Sequence, residues 1–320
     1  MNAPVAGRPA TPARDPEVLC IGETMAMVTS ADAGPVATSE TFTVSAGGAE
    51  SNLAQYLAEM GLATAWVSAL GADPLGDRIV AVLHSSGVDT RWVTRDPEAN
   101  TGLYVKDPGA GVYYYRRGSA ASRLGPEDVR SWPFDGARWV HVSGITPALS
   151  ATCRELLPAV VDAARSVGAG ISFDVNYRPA LWSADEAAAT LRPLADRADV
   201  VLVGRDEAET LWGTAAAEDV AALFPGAGRV VVKDGDVEAV EVDRSGADRS
   251  AGAGVTRLPA RTVDVVEPVG AGDAFAAGYL IALLRGDGAR DRLAMGHSLA
   301  AWVLGSPHDN RPGHGPHVRA

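Results

Sequence analysis

Residues 268–278 read PVGAGDAFAAG, and the reading of this stretch decides the fold. Two glycines flank Ala271, and an apolar run that forms a helix continues to about Arg285. A Gly-Ala-Gly turn at a helix N-terminus presents backbone N–H groups and the positive end of the helix dipole. That is a setting for a phosphate or a developing negative charge. Gly270 and Gly272 let a ligand approach the backbone closely. Asp273 falls in the first helical turn. Its carboxylate can take a proton from an attacking hydroxyl while the N–H groups hold a phosphoryl group. The plain alternative is an aspartate favoured by the dipole behind a packing turn. Residues 262–266 (TVDVV) read as a strand leading into the turn.

Working outward, short apolar runs alternate with helical stretches. Residues 18–22, 65–70, 138–142, 170–175, 199–203 and 229–233 read as strands. Residues 49–60, 74–86, 150–167, 185–197 and 291–304 read as helices. This rhythm predicts an α/β fold with a mostly parallel central sheet covered by helices on both faces. Two segments break it. Residues 24–44 read as strand, turn, strand, and residues 101–117 read as two strands joined at 108–111 (PGAG). They predict a small separate β-sheet. Residues 245–254 read as a surface loop.

The chain has 320 residues, 47% of them hydrophobic, enough for a sizeable core. Lys plus Arg is 28 and Asp plus Glu is 40, a net charge of −12. Such an acidic chain is a poor partner for nucleic acid or an anionic membrane, so an anionic ligand needs a local basic cluster. Cys20 and Cys153 stand alone, which argues against a zinc site or a disulfide framework and for reduced buried thiols in a cytoplasmic protein. Residues 1–16 read as a flexible tail without a signal peptide, and no apolar run approaches the ~20 residues that span a bilayer.

The 268–278 stretch resembles the C-terminal signature of the ribokinase-like (PfkB) carbohydrate kinases. Gly47-Gly48-Ala49-Glu50-Ser51-Asn52, followed by Gly71-Ala72-Asp73-Pro74-Leu75-Gly76, resembles the other signature of that family. The resemblance covers about 17–310, between the N-terminal tail and a C-terminal tail at 311–320. It implies a three-layer α/β/α domain with a small β-sheet lid, the lid strands coming from about 24–45 and 100–118. By its implications, Gly47, Gly48 and Asn52 contact the substrate, and Asp273 is the catalytic base beside the Gly270-Ala271-Gly272 turn. ATP and Mg²⁺ are implied, with Asn176, Lys233, Gly235, Gly270 and Gly272 beside the nucleotide.

Two further blocks bear on the substrate. Residues 113–122 (YYYRRGSAAS) resemble a block of 2-keto-3-deoxygluconate kinases, and residues 173–182 (FDVNYRPALW) resemble one shared with fructokinases. Both deliver arginine. Arg116 and Arg178 could clamp a carboxylate by charge-assisted hydrogen bonds. The resemblance places Tyr104 and Tyr114 on the ligand from the lid, Arg116 on its carboxylate, and Arg178 between substrate and phosphates. Asp309 is carried over as a contact to a substrate hydroxyl. One departure is Gly204, where the family often has Asn three residues before Glu207. The absent amide leaves Glu207 read as an acidic helix N-terminus favoured by the dipole. No dedicated metal cage is visible, which suits a cation held by phosphates and water. The expectation is a kinase for a keto sugar acid, 2-keto-3-deoxygluconate foremost. The rivals are a fructokinase or other neutral-sugar kinase, a nucleoside kinase, and a non-catalytic binding protein on the same scaffold. Exposed lid strands make a homodimer plausible.

Overall fold

The computed structural model describes residues 15–214, 216–246, 253–266 and 269–305. Strand β1 (Val18–Ile21) leads through Gly22, Glu23 and Thr24 into β2 (Met25–Ser30) and β3 (Phe42–Gly47). Helix α1 (Ala49–Glu59), β4 (Thr64–Gly71), α2 (Pro74–Ser85) and β5 (Val93–Asp96) follow, then β6 (Leu103–Asp107) and β7 (Gly111–Tyr115). The next alternation is β8 (Trp139–Ser143), α3 (Thr146–Leu149), α4 (Ala151–Ser166), β9 (Gly170–Asp174), α5 (Ala184–Ala195) and β10 (Val200–Gly204). It continues through α6 (Arg205–Trp212), α7 (Ala217–Ala222), β11 (Arg229–Asp234), β12 (Glu238–Asp243) and β13 (Gly254–Pro259). Helices α8 (Ala271–Arg285) and α9 (Ala289–Leu304) come last.

Nine strands form the main sheet in the order β13-β12-β11-β10-β9-β8-β1-β4-β5. From β5 to β11 each neighbour is parallel, and β12 and β13 extend the edge antiparallel. The inner parallel strands are mostly apolar, with β1 and β10 buried at every position, because both faces are covered. Leu19 and Ile21 of β1 face a core shared with Leu156, Val160 and Leu191 of α4 and α5. Val18 and Cys20 face the opposite core, shared with Leu53 of α1 and Tyr279 and Leu280 of α8. This period-two alternation makes the α/β/α sandwich predicted above. Both cysteines are buried and unpaired with each other.

The small sheet has the order β3-β2-β6-β7. Met25, Met27 and Tyr104 form its own buried cluster. Its outer strand β7 is exposed along its whole length. Among the described residues, no helix is long and apolar enough to cross a membrane.

One expected strand is absent. Residues 262–266 are irregular, with Val265 58% and Val266 61% exposed. The alternating valines read as a strand, but β13 already occupies that edge of the sheet. This segment instead runs along the rim of the cleft described next.

Candidate active site

A cleft of about 1290 Å³ lies where the small sheet faces the C-terminal ends of the parallel strands. In open parallel sheets this is where ligands bind, because the connections there leave a crevice. The cleft gathers Gly47, Gly48, Asn52, Tyr104, Tyr114 and Arg116 from the lid side and α1. From the strand ends and α8 it gathers Asn176, Arg178, Lys233, Gly235, Gly270, Ala271, Gly272 and Asp273. These are all the site residues predicted from sequence except Asp309, which lies outside the described residues.

The turn before α8 has the conformation its glycine permits. Gly270 caps the helix at φ 85°, a left-handed value that strains other residues, and as glycine it offers no capping side chain of its own. Asp273 is therefore the third residue of α8. Its Oδ2 accepts a hydrogen bond from Nδ2 of Asn52 at 2.9 Å, so the two glycine-rich motifs meet at one carboxylate. Burial raises the Asp273 pKa to about 6, with the Asn52 bond opposing the rise and the Asp174 charge adding to it.

Lys233 approaches the same turn from β11. A Cβ built on Gly272 would lie 3.7 Å from its Nζ. The ammonium pairs with Asp174 at the end of β9, 3.0 Å from Oδ2 and 3.3 Å from Oδ1. Burial works against its charge, but the Asp174 and Glu207 carboxylates win and hold its pKa above the usual lysine value. Asn176, two residues beyond Asp174, is buried at a left-handed φ of 41°. A non-glycine residue in that region costs of order 1 kcal/mol or more, the kind of strain that collects at functional sites. Arg178 is exposed at the cleft wall and donates to its neighbouring Tyr177 carbonyl at 3.1 Å.

Glu207 caps its own helix. Its Oε2 accepts from the N–H of Gly204 at 2.8 Å and its Oε1 from the N–H of Tyr177 at 2.9 Å. Burial raises its pKa, with Lys233 pulling the other way. The dipole-favoured reading thus gains a second element. Glu207 also fixes the loop that carries Asn176 and Arg178.

The paired glycines are required by packing on the protein itself. A Cβ on Gly47 would stand 2.1 Å from the Tyr104 hydroxyl oxygen, and one on Gly48 would stand 2.5 Å from the Glu23 carbonyl. Tyr104 and Tyr114 face each other across β6 and β7 with ring centroids 5.8 Å apart.

Besides Asp174, two more acidic residues escaped the sequence reading. Glu23, 3% exposed, lies in the joint between β1 and β2 and forms an ion pair with Arg116. Glu50, fully buried in the first turn of α1, accepts from Ser143 Oγ at 2.5 Å. The signal for Glu23 was its position at the C-terminal end of the first strand, where parallel sheets place ligand-facing residues. The expected basic cluster is also more balanced than composition suggested. Among the described residues six cationic and seven acidic side chains line the cleft, so affinity for anions from these residues comes from placement and not from a bulk positive field.

This architecture is shared by proteins of known structure. A crystal structure of a PfkB protein from Polaromonas sp. JS666 superposes with a TM-score of 0.80 at 36% identity, covering 90% of this chain and 96% of that one. A Bacillus subtilis (strain 168) protein named 2-dehydro-3-deoxygluconokinase is 36% identical over 301 residues, covering 92% of this chain and 91% of its own. A Haloferax volcanii protein named 2-dehydro-3-deoxygalactonokinase is 32% identical over 295 residues, covering 89% and 90%. The profile of the pfkB family of carbohydrate kinases matches residues 15–313. With both glycine-rich motifs converging on Asp273 in a ribokinase-like fold, the chain belongs to the pfkB family of carbohydrate kinases.

Proposed function

We propose that this kinase transfers the γ-phosphoryl group of ATP to the primary hydroxyl of 2-keto-3-deoxygluconate. The observation that carries the reading is one cleft holding Asp273 beside the Gly270 turn together with Arg116 on the lid side. Asp273 accepts the proton of the attacking hydroxyl. Its raised pKa of about 6 leaves it ionised near neutrality yet basic enough to take that proton. The N–H groups of Gly270, Ala271 and Gly272 face the phosphoryl group in flight, and the Lys233 ammonium adds positive charge beside them. Tyr104 and Tyr114 cover the sugar from the lid, Gly47, Gly48 and Asn52 form its floor, and Arg116 meets its carboxylate.

The cleft suits a nucleotide on the other side. Val263, Val265, Ala300, Ala301 and Leu304 supply an apolar wall for a base, and Asn176, Lys233 and Gly235 border the phosphates. Mg²⁺ would arrive with the nucleotide, held by phosphate oxygens and water. Bound there, Mg²⁺ neutralises phosphate charge. The names of the relatives support the same substrate class. The exposed β7 edge supports a homodimer.

A neutral-sugar kinase is the second reading, and the Glu23–Arg116 ion pair favours it, because Arg116 then has a resident counter-ion and needs no substrate carboxylate. Arg116→Ala separates the two. Loss of a charge-assisted hydrogen bond of about 1.5–3 kcal/mol raises KM for the keto acid roughly 10- to 150-fold. An unchanged KM for the acid would point to the neutral-sugar reading.

A further inference from the structure

Arg116 is held at a joint of the fold. It follows directly on β7, where the chain leaves the small sheet, and its partner Glu23 stands where the chain enters it. Both side chains are buried, Arg116 at 10% exposure and Glu23 at 1%. Glu23 Oε2 pairs with Nη2 of Arg116, and Glu23 Oε1 accepts from Ser119 Oγ at 2.6 Å. Nε of Arg116 is also buried but has no hydrogen-bond partner among the described residues. The guanidinium faces the ring of Tyr114 with 5.9 Å between Cζ and the centroid.

A guanidinium taken this far out of water needs a counter-charge. Glu23 supplies it through one nitrogen and from beneath the cleft. That ion pair holds one nitrogen of the guanidinium and leaves Nε–H without an acceptor among the described residues. A buried N–H without an acceptor is costly, so a ligand that brings an acceptor to it gains, and a carboxylate oxygen gains more than a neutral hydroxyl because the hydrogen bond is charge-assisted. We propose that Glu23 is a positioning residue for recognition of a substrate carboxylate. It orients Arg116 so that its unpartnered Nε edge is completed by the carboxylate of a sugar acid. The proposal rests on the keto-acid reading above and adds the residue that aims the arginine.

The test is a double-mutant cycle on the full-length enzyme: wild type, Glu23→Gln, Arg116→Met and the double variant. KM for 2-keto-3-deoxygluconate, KM for ATP and kcat are measured for each. Glu23→Gln keeps the shape and removes the charge. It is expected to raise KM for the acid about tenfold, with the change in KM and not in kcat, and with KM for ATP unmoved. Because Glu23 acts through Arg116, the double variant should be no worse than Arg116→Met alone. Effects that multiply, or a rise shared by the acid and ATP, would mean a structural role only and overturn the proposal. A silent Glu23→Gln beside a strongly affected Arg116→Met overturns it too and leaves the keto-acid reading standing. If Arg116→Met leaves the acid KM unchanged, both fall. Should Glu23→Gln not fold, Ser119→Ala removes the hydrogen bond on Glu23 Oε1. A rise of about threefold in acid KM alone then supports the proposal, and no change overturns it.

Discussion

Asn52 and Asp273, 221 positions apart, are joined by a 2.9 Å hydrogen bond from amide to carboxylate. The bond stabilises the ionised form of Asp273 and so opposes the burial that lifts its pKa to about 6. The base is active only when ionised, so kcat/KM should fall about tenfold per pH unit below that value. Asn52→Ala removes the donor, the Asp273 pKa rises further, and the acid limb of the pH–rate profile moves to higher pH. A profile whose acid limb stays in place would separate Asn52 from the ionisation of Asp273.

Glu50 gives a pH dependence of stability instead of rate. Burial lifts its pKa to about 7 against the Ser143 hydrogen bond, and its Oε2 has no partner among the described residues. An unfolded glutamate titrates near 4.5, so the folded protein holds this proton more tightly. The stabilisation is full below about pH 4.5 and is lost as the pH rises through about 7, where a buried carboxylate must carry charge. Glu50→Gln keeps a neutral group there at every pH. Its Tm should match wild type near pH 5 and exceed it at pH 8–9, which thermal unfolding across that range checks. A Tm difference independent of pH would mean that Glu50 does not titrate in this window.

The inner parallel strands were legible because burial on both faces makes them mostly apolar, as in β10 with Val200, Val201, Leu202 and Val203, whereas the parallel edge strand β5, Val93–Asp96, carries Thr94, Arg95 and Asp96 and was not read. The antiparallel edge was not legible either. Strand β12 carries Glu238, Glu241 and Asp243 among its apolar residues and was not read as a strand. Glu241 is nevertheless fully buried, because Tyr279 donates to it at 2.8 Å and Nε of Arg292 at 3.0 Å, from helices 38 and 51 residues away. No local rule sees such partners. The same holds at the site. Glycine-rich turns and arginine blocks stand out in a sequence, whereas Glu23 and Asp174 look like surface acids until Arg116 and Lys233 are brought against them. Residues 262–266 failed the other way. Local alternation spelled a strand that had no neighbour to pair with.

The central claim is that Asp273 drives phosphoryl transfer from ATP to a sugar acid. It is tested most directly by an ADP-release assay with Mg-ATP across 2-keto-3-deoxygluconate, 2-keto-3-deoxygalactonate, fructose, ribose and adenosine, with Asp273→Asn run beside the wild type. The account predicts turnover on the keto acids, with 2-keto-3-deoxygluconate foremost. It also predicts a loss of about 10²- to 10⁴-fold in kcat for Asp273→Asn with little change in KM. Turnover confined to fructose, ribose or adenosine, or an Asp273→Asn variant with near-normal kcat, would contradict it.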